Sequence, residues 1–164
     1  MAHEMHSLHD LFVMELMDTL DAEHQIVEAL PKMIEAASSP TVKSKFEQHL
    51  KVTKEQVERL HEVFEKLNMK PEREHCDGMA GILKDGQKVI MAPGDPATKD
   101  AALVAAAQKV EYYEIAAYGT LATFAHTIGR HDIARLLETT LGEEKMTDKT
   151  LTEVAERSIN KKAA

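Results

Sequence analysis

Three glutamates occupy positions that helical periodicity assigns to the buried face of three predicted helices. Glu23, Glu114 and Glu144 each lie within a stripe of mostly apolar residues at steps of three and four, which places each carboxylate on the inward side of its helix. Burial of one ionised carboxylate without a partner costs several kcal/mol or forces it to bind a proton, and three such groups close together also repel one another. Because a bound cation relieves both effects, the pattern indicates a metal site inside a helical bundle.

Further metal ligands are predicted one helical turn away from these glutamates. Glu111 lies three residues before Glu114, and Asp148 lies four residues after Glu144, so the members of each pair share a helix face. On the second helix, His49 is a candidate, either as a ligand or as a histidine that supports the ligands. Such an oxygen-rich site suits a dinuclear iron or manganese centre, although magnesium and calcium bind the same ligand types. The predicted ligands are Glu23, Glu111, Glu114, Glu144, Asp148 and His49.

The spacing departs from the pattern that dinuclear carboxylate bundles usually show. Those bundles take one Glu from each of two helices and a Glu-x-x-His pair from each of the other two. Here the two corresponding stretches read Thr53-x-x-Gln56 and Glu144-x-x-Thr147, so both histidines are missing. The contribution of the second helix therefore stays open among His49, Thr53, Glu55 and Gln56.

A polar layer without metal is the alternative interpretation of the same residues. Hydrogen bonds from neighbouring polar side chains also satisfy buried carboxylates, and a layer of that kind requires no cation. The side chains available for such a layer are Gln25, His49, Gln56, Tyr113 and Tyr118.

The elements that must position these residues are four long helices. Their predicted ranges are residues 8–37, 40–68, 96–128 and 131–158. Ser39 and Asp95 each precede a proline and are predicted N-caps, and Gly129 is a predicted left-handed C-cap. Residues 69–95 are predicted to form a long connection with one short helix, so two tight antiparallel hairpins are joined by a crossover. This topology predicts an all-α fold, a ferritin-like four-helix bundle, as a single domain over residues 1–164.

Three further expectations concern residues outside the predicted site. Arg59 is expected on a solvated helix face. Gly119 and Gly142 lie inside helices, where glycine is unfavourable by about 1 kcal/mol relative to Ala, so we expect a close helix approach there, in the core or at a dimer contact. Of the remaining histidines, His126 and His131 show no spacing that indicates a site.

Composition and charge exclude several classes of function. The chain of 164 residues carries a formal net charge of -8, which argues against nucleic acid or an anionic membrane as a partner, and against a DNA-protecting ferritin relative. A single cysteine excludes an internal disulfide and a cysteine-based zinc cluster. No apolar run reaches the roughly 18 residues of a membrane span, and no signal-peptide pattern opens the sequence, so we expect a cytoplasmic protein.

Short motifs along nearly the whole chain match one known family. They are Leu11-Phe12, Ala22-Glu23-x-Gln25, Ala29-Leu30-Pro31-Lys32-Met33, Phe46-Glu47-x-His49-Leu50, Gln56-Val57-Glu58-Arg59-Leu60, Val110-Glu111-x-Tyr113-Glu114-Ile115-Ala116-x-Tyr118-Gly119-Thr120-Leu121 and Glu143-Glu144-Lys145-x-x-Asp148. With these motifs the chain resembles the YciE/YciF-type ferritin-like stress proteins. The resemblance implies a ferritin-like bundle, a homodimer and an association with bacterial stress responses. It does not define an activity.

Two functions are expected from these observations. The first is a stress-associated protein with a dinuclear Fe or Mn centre that carries out redox chemistry on peroxide, dioxygen or Fe(II), as a catalase-like, peroxidase-like or ferroxidase oxidoreductase. The second is a non-enzymatic dimeric stress or scaffold protein with a degenerate metal site, which the missing histidines favour. The sequence leaves open whether the protein is an enzyme. Bulk iron storage is disfavoured, because nothing in the sequence indicates the surfaces of a cage.

Overall fold

A computed structural model describes residues 4–164, and this part of the chain is helical with no β-strand. The elements are α1 Leu8–Ala36, α2 Pro40–Lys66, α3 Asp77–Met91, α4 Pro96–Thr127, α5 His131–Val154, a π-helical segment Ala155–Ile159 and α6 Asn160–Ala163. The all-α prediction is confirmed, and the short helix expected in the long connection is α3, with 15 residues. None of the described helices is long and apolar enough to cross a membrane.

Local sequence explains where the helices begin and end. Asp95 caps α4 by accepting a hydrogen bond from a backbone N–H of its first turn, and Gly129, with φ of 80°, terminates that helix in the left-handed region. Ser39 occupies the N-cap position of α2, but its side chain makes no capping bond. Instead, the Asp100 carboxylate accepts hydrogen bonds from the backbone N–H groups of Ser38 and Ser39, at 2.7 and 2.8 Å. The α1–α2 turn is therefore tied to α4.

The long helices pack against one another in sequence-adjacent pairs. α1 contacts α2 across the connection 37–39, and α4 contacts α5 across the connection 128–130. α1 also contacts α4, and α2 contacts α5, so these four helices enclose a shared interior. α3 lies in the long connection and packs against α1 and α4.

The hydrophobic interior is divided into two clusters by a layer of polar residues. The first cluster includes Ile26, Leu30, Phe46, Leu103, Val110 and Leu151. The second includes Leu16, Leu20, Leu60, Phe64, Tyr118, Leu121 and Leu137. Along each long helix, buried polar residues lie between members of the two clusters, namely Glu23, His49, Thr53, Gln56, Glu111, Glu114, Thr140 and Glu144. Burial of each Leu or Phe contributes about 1.5–3 kcal/mol, so the apolar clusters hold this layer in place although its desolvation is unfavourable.

Gly119 and Gly142 do not mark a close helix approach within this chain. A Cβ atom added at either glycine would meet nothing within 4 Å outside its own helix turn. The expectation of a close contact in the core is therefore wrong for the part of the chain that the structure describes, because no neighbouring helix approaches either glycine that closely. A contact with a second copy of the chain at these glycines stays a prediction.

Candidate metal centre

Four buried side chains from three helices bring their ligand atoms together. His49 on α2, Glu111 and Glu114 on α4, and Glu144 on α5 each offer one atom, and these atoms lie within 4.8 Å of one another. His49 is the most exposed of the four, at 4%. The spacing of three residues places Glu111 and Glu114 on one face of α4. We call these four residues the His–Glu cluster, and as a set they can hold a metal ion.

The His–Glu cluster lacks the hydrogen bonds that buried polar groups need. Both ring nitrogens of His49, both carboxylate oxygens of Glu111 and of Glu114, and one oxygen of Glu144 are buried without a hydrogen-bond partner. His49 Nε2 lies 3.1 Å from Glu111 Oε1, but the contact does not have the geometry of a hydrogen bond. Buried polar atoms in proteins are rarely left unsatisfied. Imidazole nitrogen and carboxylate oxygen suit iron and manganese, so these residues fit such an ion.

Burial shifts the pKa values of the side chains in the His–Glu cluster. Burial, followed by the close contact with the Glu144 carboxyl group and its charge, raises the pKa of Glu111 well above its ordinary value. Burial, followed by the charges of Glu23 and Glu144, does the same to the pKa of Glu114. Burial lowers the pKa of His49, which favours the neutral imidazole with a lone pair. In the absence of a cation the cluster therefore retains protons, and a cation that binds there must displace them.

Glu23 lies beside the cluster, on the α1 side of the polar layer. Its side chain is fully buried, one oxygen accepts a hydrogen bond from the Tyr118 hydroxyl, and the other oxygen has no hydrogen-bond partner. Burial and the charge of Glu144 raise the pKa of Glu23 to about 8. Glu23 is not one of the four residues with mutually close ligand atoms, and its role as a metal ligand stays a prediction.

Asp148 lies at the edge of the site and is held by another side chain. It is half-buried, and its Oδ1 accepts a hydrogen bond from Gln108 Nε2 at 3.0 Å. Gln108 also donates to Thr152 Oγ1 at 2.7 Å. Asp148 is outside the His–Glu cluster, and its role as a metal ligand stays a prediction.

Two of the four α2 residues considered as contributors to the site contact the other site residues. His49 is the α2 residue whose ligand atom belongs to the cluster. The Thr53 hydroxyl donates within its own helix, to the His49 carbonyl oxygen at 2.9 Å, and Glu55 is exposed. Gln56 donates a hydrogen bond from its amide to Glu144 Oε1. Accordingly, α2 offers one nitrogen ligand and one amide that orients a carboxylate of the cluster.

Arg59 does not lie on a solvated face, and that prediction is wrong. Its side chain is 19% exposed and donates to both carboxylate oxygens of Glu143, at 2.8 and 3.0 Å, and to Thr140 Oγ1 at 2.6 Å. Glu143 also accepts from Gln56 Nε2 at 3.1 Å. The available sequence signal was the spacing of three residues between Gln56 and Arg59, which puts both on one helix face. Arg59 thus supports the amide that contacts Glu144.

Two side chains considered for a metal-free polar layer are engaged elsewhere. Tyr113 lies with its hydroxyl 3.0 Å from Cys76 Sγ and donates to Asp18 Oδ2 at 3.2 Å. Gln25 donates to Asp21 Oδ2 at 2.6 Å and to the Cys76 carbonyl oxygen at 3.1 Å. These contacts fasten the start of α3 to α1 and α4. They leave Tyr118 and Gln56 as the observed partners of the buried glutamates.

A small cavity reaches the His–Glu cluster between α2 and α5. Its volume is about 100 Å³, and its lining includes Phe46, His49, Thr147, Thr150 and Leu151. A water molecule occupies about 30 Å³ in the liquid. The space beside the imidazole therefore has room for small molecules such as water, peroxide or dioxygen.

The fold and the site define an all-helical protein with a buried histidine–carboxylate cluster that can hold a metal ion. Residues 7–164 match the family described as a domain of unknown function, DUF892. The chain belongs to this family.

Similar proteins and solved structures support the same family assignment. The chain is 44% identical over 160 residues to Protein YciF of Escherichia coli (strain K12). The alignment covers 97% of this chain and 96% of that protein. The crystal structure of the E. coli stress protein YciF matches 96% of this chain and 99% of its own, with a TM-score of 0.92. YcfI of Rhodopseudomonas palustris, described as a candidate structural protein, is 41% identical, with a TM-score of 0.92 over 94% of this chain and 99% of its own. The resemblance found in the sequence motifs is confirmed.

Proposed function

We propose that this protein is a ferritin-like four-helix bundle whose polar layer binds two Fe or Mn ions and uses them in redox chemistry on peroxide, dioxygen or Fe(II). The observation that carries the proposal is the His–Glu cluster, in which buried ligand atoms from three helices converge and most of the nitrogen and oxygen atoms have no hydrogen-bond partner. The relationship to a stress protein supports a role in stress conditions.

The charge of the polar layer supports two ions. Glu23 and the three glutamates of the cluster, all buried, carry four negative charges when ionised, and two divalent cations neutralise that charge. Both oxygens of Glu111 and of Glu114, and Oε2 of Glu23, have no hydrogen-bond partner. Enough carboxylate oxygens therefore remain for a second ion after the four mutually close atoms have bound the first.

The chain's own residues would prepare the site for this chemistry. A bound iron or manganese pair supplies the electrons that reduction of peroxide or dioxygen requires. His49 offers a neutral nitrogen, Gln56 orients Glu144, and the Tyr118 hydroxyl holds a proton at its hydrogen bond to Glu23. The two apolar clusters on either side of the layer exclude bulk water, which strengthens electrostatic interactions at the centre.

Burial of the His–Glu cluster favours small molecules as substrates. The cavity beside His49 holds about 100 Å³, and the cluster is otherwise buried. Peroxide, dioxygen and a single metal ion are small enough for this space. A larger reductant would have to deliver its electrons from outside the protein.

Turnover assays with a matched pair of variants test this function. Hydrogen peroxide consumption and Fe(II) oxidation are measured on protein loaded anaerobically with Fe(II) or Mn(II), beside Glu114→Gln and Glu55→Gln. Glu55 is exposed on α2, so Glu55→Gln repeats the chemical change away from the site. We expect Glu114→Gln to lose at least about tenfold in rate while Glu55→Gln keeps the parent rate. Equal rates for parent and Glu114→Gln would contradict the proposal.

A non-enzymatic dimeric scaffold is the second candidate, and specific contacts favour it. Tyr118 and Gln56 already donate hydrogen bonds to Glu23 and Glu144, as expected for a polar core layer, and YcfI is described as a candidate structural protein. In this case the loaded protein shows no turnover, and Glu114→Gln folds normally with increased stability, because replacing a buried ionisable group removes its desolvation penalty. The homodimer proposed for both functions is tested by the molar mass in solution.

A further inference from the structure

A second group of metal-ligating side chains lies at the turn between α4 and α5. His126 Nδ1 and His131 Nδ1 are 2.9 Å apart, and His126 Nε2 lies 2.8 Å from Glu138 Oε1. All three residues are exposed, and they are separate from the His–Glu cluster. We propose that His126 and His131 form a surface site for one divalent transition-metal ion, with Glu138 as the residue that orients His126. This site does not depend on the function proposed above.

The contact with Glu138 selects the tautomer of His126 that metal binding requires. A carboxylate accepts hydrogen bonds and does not donate them when ionised, so His126 donates from Nε2. The neutral His126 ring then carries its lone pair on Nδ1, toward His131. A histidine that ligates a metal through one nitrogen and donates from the other to a carboxylate is a common arrangement in metal sites.

His131 needs only a tautomer change to complete the pair. In the absence of metal, a proton on His131 Nδ1 bridges the two nitrogens as an N–H···N hydrogen bond. When the proton resides on Nε2 instead, the two Nδ1 atoms carry lone pairs 2.9 Å apart, and a cation bound by both relieves their repulsion. His131 is exposed, so solvent is available to accept the hydrogen bond from the proton at Nε2.

The separation of the nitrogens indicates which ions fit. With metal–nitrogen bonds of about 2.0–2.1 Å, two nitrogens 2.9 Å apart subtend an angle of about 90° at the ion. That angle suits neighbouring ligands in square-planar or octahedral coordination, as preferred by Cu²⁺ and Ni²⁺, and is smaller than the tetrahedral angle preferred by structural Zn²⁺. Of these ions, Cu²⁺ binds nitrogen ligands most tightly.

The positive charge next to His131 in the chain is already neutralised. The nearest Arg along the chain, Arg130, is already paired with Asp132, at 3.1 and 3.0 Å, and it also donates to the Lys66 carbonyl oxygen. Glu138 adds a negative charge next to His126. An ion bound by both histidines would connect the end of α4 to the start of α5 across the turn that contains Gly129.

Copper titration of the full-length chain tests the proposal. His3, His6 and His9 are replaced by Gln throughout, because histidines near the N-terminus also bind copper. Cu²⁺ binding is measured by calorimetry and by electron paramagnetic resonance on this parent and on His126→Gln, His131→Gln, Glu138→Gln and His61→Gln. His61 is the matched control, because its ring centre lies 6.3 Å from that of His24, compared with 5.2 Å between the ring centres of His126 and His131.

The expected result is one Cu²⁺ fewer per chain, or binding at least about tenfold weaker, in each of the His126 and His131 variants. Glu138→Gln should weaken binding by about tenfold, as loss of an orienting carboxylate usually does, and His61→Gln should leave it unchanged. A second readout is the melting temperature, which Cu²⁺ should raise by less in the two histidine variants than in the parent. Dissociation constants within twofold of the parent in both histidine variants, or an equal loss in His61→Gln, would overturn the proposal.

Discussion

His49 Nε2 on α2 and Glu111 Oε1 on α4 lie 3.1 Å apart in the buried layer, and neither atom has a hydrogen-bond partner. Buried atoms that accept or donate hydrogen bonds rarely remain in this state. Two ligands of one metal ion lie close together in this way when the ion is absent. The two atoms come from two helices that each contribute to the cluster. The metal proposal for this protein rests on that relationship.

The pH dependence of stability should differ between metal-free and metal-loaded protein. The pKa of Glu23 is raised to about 8, and the pKa values of Glu111 and Glu114 are raised too. A carboxyl group with a raised folded-state pKa contributes stability below its unfolded pKa near 4.5, and this contribution is lost as pH rises through the folded value. Each such group lowers the free energy of unfolding by up to about 1.4 kcal/mol per pH unit in that window.

Urea unfolding in the presence of a chelator at pH 5.5, 7 and 8 measures this effect. We expect the metal-free protein to become less stable with rising pH, and the Glu23→Gln variant to show a shallower decline. Loading with Mn(II) should remove most of the decline, because the ion takes the place of the protons. Metal-free stability that is constant or increases between pH 5.5 and 8 would be inconsistent with buried, protonated carboxyl groups.

Removal of one buried carboxylate should stabilise the metal-free protein and reduce the additional stability that bound metal provides. Glu111 is fully buried, so Glu111→Gln eliminates a desolvated acid and should raise the metal-free free energy of unfolding at pH 8 by about 1–3 kcal/mol. The same variant should gain less stability from added Mn(II), since it has lost a ligand. Chemical unfolding with and without Mn(II) measures both changes, and Glu55→Gln is the exposed control. A variant that is destabilised in the absence of metal would argue against the buried-charge account.

Arg59 should act on the centre through Glu143 and Gln56. Arg59→Met leaves the half-buried Glu143 carboxylate without its cation and loosens the amide that contacts Glu144. We expect a loss of about 1–3 kcal/mol in stability and of about tenfold in Mn(II) affinity. The double variant Arg59→Met/Glu143→Gln should recover part of both losses, because the unpaired charge is gone. If the two single effects simply add, Arg59 does not act through Glu143.

Two glycines should respond in opposite directions to substitution by alanine. Gly142 lies inside α5 with nothing within 4 Å of an added Cβ, whereas Gly129 has φ of 80°. Gly142→Ala should stabilise the protein by about 1 kcal/mol, and Gly129→Ala should destabilise it by about 1–2 kcal/mol. Thermal unfolding of both variants measures this. Loss of a dimer in Gly142→Ala, seen as a change in molar mass, would show that this glycine lies at a contact between copies.

Periodicity predicted the helices and the buried glutamates because both depend on residues close in the sequence. Apolar residues at steps of three and four define one face of each helix, and Glu23, Glu114 and Glu144 are all buried as that face requires. The helix ends followed from Asp95 and Gly129, whose capping preferences are local.

Residues at the edges of the apolar face were harder to predict. Whether an edge residue is buried depends on how each helix is rotated against its neighbours, which packing between distant segments decides. Arg59 is the clearest case, because its partner Glu143 lies on α5, and a charge pattern on α2 alone suggested solvent. Asp148 is another, since Gln108 on α4 holds it at the edge of the site.

Metal content is the most direct measurement of the central claim. Untagged protein purified without added metal, and the same protein after anaerobic Fe(II) loading, are compared by elemental analysis with Glu114→Gln and Glu55→Gln. The proposal predicts about two Fe or Mn per chain in the parent and in Glu55→Gln, and loss of that metal in Glu114→Gln. Equal metal content in the parent and Glu114→Gln, or none in either after Fe(II) loading, would contradict it and leave the glutamates as a polar layer of a scaffold protein.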